Sequence, residues 1–250
     1  IDTKSGDWNF SPNDVAVNAF SGSTSETFQV NVSDGISSVT SAFQVGIIIG
    51  KQGNGTAAND FIIMKGENTD IDGGLGIDTA LYSGNKGNYQ IVINDGLVSV
   101  TDSDGNDSFR NIERIAFSDL NVALDLDGNA GQAAKLLGIL LGPSAVSDTT
   151  YTGLAIHYLD SGISYESLMQ MGLDVVLGAD ATSRSVVDLL YKNLVGSDAP
   201  ESILSEYSAI IDSGSMTTAE LTVLAADHSM NEVNIDLVGL SQTGLDYLLV

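Results

Sequence analysis

Apolar and polar residues alternate at a period of two near the start of the chain, which is the pattern of half-buried β-strands. Residues 26–33 (ETFQVNVS) alternate up to a DG turn sequence, and a second run covers residues 38–47. Alternating aromatic residues at 7–12 predict one more strand. Three strands are fewer than the roughly seven of a free-standing β-sandwich. We therefore expect residues 1–50 to be either the C-terminal part of such a domain or an open sheet that another copy of the chain completes.

The same period returns between residues 89 and 126, where four short runs predict a small antiparallel sheet. These runs are residues 89–93, 97–101, 112–117 and 122–124. The loops NDG and DSDG that separate the first runs are typical of hairpin turns. The preceding segment, residues 51–84, is instead rich in Gly, Asn and Asp and holds only short apolar pairs and triplets.

From Gly128 onward the apolar positions recur at helical spacing, which predicts a bundle. Pro200 occupies the first-turn position that proline favours, and Thr217 with Glu220 matches a capping box. The last stretch, residues 233–250, ends in the apolar sequence LDYLLV. The predicted helices cover residues 132–141, 151–159, 165–177, 185–195, 201–211 and 221–226.

Residues 73–81 (GGLGIDTAL) match the calcium-binding nonapeptide GGxGxDxUx, with the small Ala80 at its apolar position. Glycines let a six-residue turn direct backbone carbonyls at a hard cation, the aspartate supplies charge, and the last three residues form a strand of a parallel β-roll. Residues 55–63 keep the first Gly, the Asp and the apolar eighth position 18 residues upstream. Two nonapeptides make one coil, so we expect Asp60 and Asp78 to stack on one side with a cation between them.

The repeat between these two is degenerate, because its Asp comes one residue late. A plain Asn/Asp/Gly loop is the alternative interpretation of the whole segment. The candidate calcium ligands in it are Gly55, Ala57, Asn59, Asp60, Asp70, Asp72, Gly73, Leu75 and Asp78.

A second acidic cluster, at residues 102–107, gives two more candidate ligands, Asp102 and Asp104. With Glu113 they mimic the first, third and twelfth positions of an EF-hand loop. The sixth position should be Gly but is Asp107, and strands flank the loop, so a solvated hairpin turn is the favoured interpretation. The acidic junction at 125–129 has the same alternative, a cap for the helix that follows.

The amino-acid composition excludes several classes of function. The sequence has 33 acidic and 9 basic residues, a formal charge of −24, and such a polyanion repels phosphate, so nucleic acid is not an expected partner. Cysteine is absent, which removes disulfides, zinc–thiolate sites and thiol nucleophiles. A hydrophobic share of 43% indicates a folded protein rather than a disordered acidic tail. The longest apolar run, near residues 136–141, is far shorter than the roughly 20 residues of a membrane span.

Catalytic motifs are missing from the sequence. It has no HExxH, no GxSxG and no P-loop. The two histidines, His157 and His228, are far apart in the sequence, and we predict packing or helix-end roles for them. We expect no enzymatic activity from these residues.

These features together resemble the C-terminal region of repeats-in-toxin (RTX) proteins, which Gram-negative bacteria export by type I secretion. The nonapeptide at 73–81 is the most specific part, and residues 109–119 resemble the sheet that follows the β-roll. Residues 122–133 are similar to the entry of a helical domain of unknown function, and residues 234–250 to an uncleaved C-terminal secretion signal. The segment at 7–35 resembles the end of a VCBS-type, immunoglobulin- or cadherin-like adhesin repeat.

The resemblance implies an α+β protein in three parts. These are a partial Ig/cadherin-like β segment at 1–50, a short calcium β-roll with an antiparallel sheet at 51–127, and a helical domain with the secretion signal at 128–250. It further implies Ca²⁺ as the bound ion, the type I secretion machinery as a partner of the C-terminus, and a location outside the cell or on its surface. The first residues show no basic segment before an apolar core, so we expect no N-terminal secretion signal.

Three functions remain open at this point. The favoured one is a non-catalytic, calcium-binding terminal module of a secreted adhesin or matrix protein that folds on calcium after export. The second is a surface-layer or filament subunit, a homo-oligomer joined by strand addition. The third is the secretion tail of an RTX enzyme whose catalytic domain lies upstream.

Overall fold

The computed structural model describes residues 24–33, 38–49, 52–64, 68–94 and 96–249. The predicted strand at 7–12 lies outside these residues. The described chain has two sheets followed by a set of helices, which confirms the α+β class.

The strands are short except for the first two. In chain order they are β1 (Thr24–Ser33), β2 (Ser38–Ile49), β3 (Gln52–Asn54), β4 (Asp60–Ile63), β5 (Asp70–Asp72), β6 (Thr79–Leu81), β7 (Gln90–Asn94), β8 (Leu97–Thr101), β9 (Asn106–Arg110), β10 (Arg114–Ala116), β11 (Asn121–Ala123) and β12 (Leu245–Tyr247).

The middle of the chain coils back and forth between two sheets. One sheet has the order β1-β2-β4-β6-β10-β11-β12, and the other has the order β3-β5-β9-β8-β7. The pairs β2–β4, β4–β6 and β6–β10 are parallel, as are β3–β5 and β5–β9. Each coil therefore places one strand in each sheet, which is the architecture of a parallel β-roll.

Apolar side chains at matching register fill the space between the two sheets. In the larger sheet Ala80 pairs with Ile62 on one side and Ile115 on the other, and all three are buried. In the smaller sheet Phe109 pairs with Ile71 and is fully buried. The small side chain at position 80, unusual for the nonapeptide, thus lies between two isoleucines in the core of the roll.

The strands between residues 89 and 126 divide between the two sheets, which corrects the prediction of one small antiparallel sheet. β7, β8 and β9 are antiparallel neighbours in the smaller sheet, whereas β10 pairs in parallel with β6 in the larger one. The period-two pattern reports which residues are buried and not which strand is the neighbour. It also missed β9, whose sequence NDSFR contains a buried Asp.

The larger sheet runs across both predicted segment boundaries. β2 pairs with β4 beyond residue 50, and β12 at the C-terminus pairs with β11 before residue 128. On β11, Val122 belongs to the core of the roll and its neighbour Ala123 belongs to the core of the helices. Alternate residues of one strand therefore serve both cores.

The helices begin with α1, whose Ala- and Leu-rich sequence is buried over most of its length. It packs against five of the other helices and forms the centre of the bundle. The six predicted helices are confirmed to within a few residues at their ends. The helices are α1 (Asn129–Leu141), α2 (Thr149–Asp160), α3 (Tyr165–Leu177), α4 (Ser183–Val195), α5 (Glu201–Asp212), α6 (Thr218–Ala226), α7 (Ser229–Asn234) and α8 (Leu237–Thr243).

The capping box of Thr217 and Glu220 is present at the start of α6. Leu245 and Tyr247, in the segment predicted as an apolar terminus and a secretion signal, are buried in β12. Among the described helices, each is too short or too polar to cross a membrane.

Candidate cation-binding site

Two six-residue turns, residues 55–60 and 73–78, lie one above the other at one edge of the roll. Phe61 pairs with Thr79 immediately after them, so the turns are in register 18 residues apart, as predicted. A Cβ atom on Gly55 would lie 1.8 Å from the backbone oxygen of Gly73. Only glycine permits this close approach of the two turns.

Carboxylates connect the successive levels of this stack. The backbone N–H of Asp60 donates to Oδ1 of Asp78 at 2.7 Å. The N–H of Asp78 in turn donates to Oε2 of Glu113, on the next level, at 2.8 Å. Both aspartates are buried, with 1% of Asp60 and none of Asp78 exposed. The prediction that Asp60 and Asp78 stack on one side is confirmed.

The second oxygen of Asp78 has no partner. Oδ2 is buried and forms no hydrogen bond. Burial raises the pKa of Asp78 to about 7, the hydrogen bond from Asp60 opposes this increase, and the negative charges of Glu113, Asp60 and Asp72 add to it. Burial also raises the pKa of Glu113. The stack therefore contains a buried carboxylate surrounded by other carboxylates, where a bound cation would supply the missing countercharge.

The donor atoms present suit a hard cation, which binds carboxylate and carbonyl oxygens. Among the described residues, however, no group of three or more His, Cys, Asp or Glu side chains is arranged to hold a metal ion. A cation at Asp78 would therefore depend on backbone carbonyls and water for most of its ligands. This is the ligand set that the two glycine-containing turns can supply.

The other predicted ligands of the two turns differ in exposure. Gly73 is buried and Gly55 half-buried, whereas Ala57, Asn59 and Leu75 are exposed. The side-chain oxygen of Asn59 accepts the N–H of Ile77 at 2.9 Å, which joins the two turns.

Asp70 and Asp72 lie on β5, in the opposite sheet. Oδ1 of Asp72 accepts the N–H of Gly74 at 3.2 Å and the side-chain amide of Asn111 at 2.8 Å. Oδ1 of Asp70 accepts the hydroxyl of Ser108 at 3.3 Å. Asp72 thus lies at the entrance to the second turn, whereas Asp70 contacts the neighbouring strand β9.

Asp102 and Asp104 form a hairpin turn between β8 and β9. Oδ1 of Asp102 accepts the N–H of Asp104 at 2.8 Å and that of Gly105 at 3.1 Å, a local turn pattern of Asp. Glu113, the twelfth position of the EF-hand-like spacing, directs its carboxylate to Asp78 instead. These contacts agree with the hairpin interpretation of the cluster.

Asp107, which the sequence offered only as a mismatch, supports the opposite edge of the roll. It is buried and accepts hydrogen bonds from the N–H of Thr69 at 2.9 Å, from the Thr69 hydroxyl, and from the hydroxyl of Tyr82 at 3.0 Å. Burial and this carboxylate raise the pKa of Tyr82 well above its usual range. The available sequence signal was the two-residue spacing of Asp107 and Phe109, which places both side chains on the same face of a strand. In β9 that face is the buried one.

Arg114 was also missed, and it joins the roll to the helices. Its side chain is 3% exposed and forms ion pairs with Asp125 and with Asp160, the latter at 2.7 Å. Asn129 at the start of α1 donates to the same Asp160 at 2.9 Å. The two carboxylates raise the pKa of Arg114 above its usual range, although burial opposes the shift. Asp125, predicted as a helix cap, accepts the N–H of Ala130 at 3.4 Å in addition to pairing with Arg114.

No protein-family model matches this chain, and no curated protein sequence matches it. The resemblance to RTX proteins therefore stays a prediction from the motifs named above.

Proposed function

We propose that this chain is a non-catalytic, calcium-binding module of a secreted bacterial surface or matrix protein of the adhesin type. The observation that carries the proposal is Oδ2 of Asp78, a buried carboxylate oxygen without a partner inside a turn that matches the calcium nonapeptide. Ca²⁺ bound at this oxygen would neutralise Asp78 beside Asp60 and Glu113, whose charges otherwise raise its pKa.

Calcium suits this site for a thermodynamic reason. Extracellular calcium modules bind with dissociation constants of roughly 10⁻⁴ to 10⁻³ M, and a cation that binds only the folded chain stabilises that state by mass action. The cytosol holds far less calcium than this, so the turns would stay loose before export and close afterwards. A chain with a net charge of −24 repels itself, which adds to the dependence on a cation.

The C-terminus would serve secretion before folding is complete. In the folded chain Leu245 and Tyr247 are buried in β12, which pairs with β11. A secretion channel that reads this segment would have to bind it before this pairing forms. Export of an incompletely folded chain followed by closure on calcium meets that requirement.

Calcium titration of the whole chain tests the proposal. We expect 10 mM CaCl₂ to raise the melting temperature by about 3–10 °C over EDTA, because saturation of a site of this affinity stabilises the folded state by about 1–3 kcal/mol. The variant Asp78→Asn should lose this increase, whereas Asp104→Asn, a matched change in an exposed hairpin turn, should keep it. Identical melting curves for the unaltered chain in EDTA and in calcium would rule the proposal out, and an equal effect of Mg²⁺ would argue for general charge screening.

We propose self-assembly as the second candidate function, and the position of β1 favours it. β1 has ten residues and is the outermost strand of the larger sheet, paired within the described chain with β2 alone. Such an edge can accept a strand from another copy. Light scattering with and without calcium tests this, since a filament subunit grows with concentration whereas a terminal adhesin module stays monomeric.

A further inference from the structure

The two stacked turns differ in how they satisfy their carboxylates. In the first turn Thr56 serves both oxygens of Asp60: its N–H donates to Oδ2 at 2.6 Å and its hydroxyl donates to Oδ1 at 3.2 Å. Each oxygen of the Asp60 side chain therefore already has a donor within its own turn. A cation at Asp60 would have to share or displace these charge-assisted bonds.

The second turn lacks this internal donor. Gly74 occupies the position equivalent to Thr56, and its φ of +99° lies in the left-handed region. Its N–H donates to Oδ1 of Asp72 at 3.2 Å instead of to Asp78. Asp78 consequently receives the N–H of Asp60 on Oδ1, and its Oδ2 is left buried without a partner. The two turns therefore differ in two ways: Thr56 supplies a hydroxyl that Gly74 lacks, and the N–H groups of these two residues have different acceptors.

The third level closes the stack with a different structure. Residues 111–113 replace the six-residue turn, and the Glu113 side chain holds the N–H of Asp78 at 2.8 Å. The carbonyl of Asp78 accepts the N–H groups of Glu113 at 3.2 Å and Arg114 at 3.0 Å. The carbonyl of Glu113 accepts from Leu124 at 2.9 Å and from Arg114 at 2.8 Å. Both peptide groups of Asp78 are thus fixed, and Glu113 has no carbonyl lone pair to spare.

We infer that the stacked turns at 55–60 and 73–78 bind one calcium ion, through the Asp78 side chain, that Thr56 keeps the Asp60 side chain out of its coordination, and that Glu113 is a positioning residue for Asp78. This inference rests on the proposed calcium function. It assigns the ion to the Asp78 side chain alone and not to Asp60 and Asp78 together. The nonapeptide pattern alone treats the two aspartates as equivalent.

Two isosteric variants separate Asp78 from Asp60. Isothermal titration calorimetry with CaCl₂ should give a stoichiometry of one for the unaltered chain and no binding for Asp78→Asn. Asp60→Asn should keep a stoichiometry of one and a Kd within about threefold, because its amide oxygen still accepts from Thr56. Circular dichroism in EDTA checks that both variants are folded. A stoichiometry of two, or loss of binding in Asp60→Asn as complete as in Asp78→Asn, would overturn the inference and leave the calcium function intact, whereas absence of binding by the unaltered chain defeats both.

A second pair of variants tests Glu113. Glu113→Gln keeps an oxygen that can accept the Asp78 N–H, so we expect its Kd to stay within about threefold, and Glu113→Ala, which removes the acceptor, to weaken binding about 10- to 100-fold with the stoichiometry still one. Rescue by the glutamine variant supports a positioning role. Equal weakening in both variants would mean that Glu113 acts through its charge, and the positioning role would then be wrong.

Discussion

The coil region and the helical region carry equal charge and use it in different ways. Residues 1–130 and 131–250 each have a net charge of −12. In the coils, some carboxylates are buried and accept peptide N–H groups from a neighbouring coil, as Asp78 and Asp107 do. In the helical region, Asp148 and Asp236 are exposed and accept N–H groups in the first turn of α2 and α8.

The difference follows from backbone hydrogen bonding. A helix satisfies its own N–H groups except those of its first turn, so its carboxylates are needed only at the cap and stay in water. A β-roll turn leaves N–H groups without backbone partners, so carboxylates of the same turn or of the neighbouring coil accept them. Negative charge is therefore unfavourable inside the roll and harmless on the helices. At neutral pH we therefore expect the coils to lose their structure before the helices do.

Removing Arg114 should have the largest effect, because it lies where the two regions meet. Arg114→Ala leaves Asp125 and Asp160 without their buried cation, and breaking a buried ion pair costs about 3–5 kcal/mol. We expect the melting temperature to fall by about 6–20 °C, with the coils and α1 losing structure together. Hydrogen exchange of β10 and α1 measures this directly.

Arg184 provides the matched control for that prediction. It forms a two-point ion pair with Glu201, but both side chains are more than half exposed. Arg184→Ala should leave the melting curve nearly unchanged, since water and salt screen such a pair. If the two arginine variants were equally destabilised, burial would not be what distinguishes the interface from the helical surface.

A methyl group on the stacked turns should have the next largest effect. A Cβ atom on Gly73 would lie 1.9 Å from the backbone oxygen of Asn111 and 2.6 Å from Oδ2 of Asp78. Gly73→Ala must push the turns apart, and we expect it to destabilise the chain by about 2–4 kcal/mol. Gly87→Ala, where a Cβ meets nothing within 4 Å, is the control. Urea unfolding followed by circular dichroism compares the two, and tolerance of Gly73→Ala would contradict the close approach of the turns.

The sequence predicted the stack and the helices better than the connections between them. The 18-residue spacing of Asp60 and Asp78 is a local repeat, and the helical pattern is also local. Both could therefore be predicted from the sequence. The roles of Glu113 and Arg114 depend on the parallel pairing of β10 with β6, across an insertion that contains the β7–β8 hairpin. No period in the sequence encodes a pairing over that distance. Thr56 was missed because the nonapeptide pattern gives residue types by position and does not show which N–H and hydroxyl groups reach the Asp60 carboxylate.

Acidity should stabilise the calcium-free coils more than the helices. The pKa of Asp78 is raised to about 7, so between pH 4 and pH 7 the folded chain binds more protons than the unfolded chain, and stability falls as the pH rises through this range. Glu113, Asp60 and Asp72 are the charged groups that raise it, and burial is the largest cause. In EDTA we expect the gain of Asp78→Asn over the unaltered chain to be about 2 kcal/mol larger at pH 7.5 than at pH 4.5, which is less than the full pKa shift would give because water screens part of the interaction. Equal differences at both pH values would mean that the ionisation of Asp78 is not what destabilises the coils.

The smallest effect is expected at a helix cap, where the charge lies in water. Thr217 donates its N–H to Glu220 at 2.7 Å, and its hydroxyl oxygen accepts the N–H of Glu220 at 3.1 Å, at the start of α6. Thr217→Ala should cost about 1 kcal/mol, a fall in melting temperature of about 2–4 °C. Because α6 is remote in sequence and contact from the stacked turns, this fall should be the same in EDTA and in calcium. A cap variant whose cost changed with calcium would show that the helices share the cation dependence of the coils, and the contrast between the two regions would then fail.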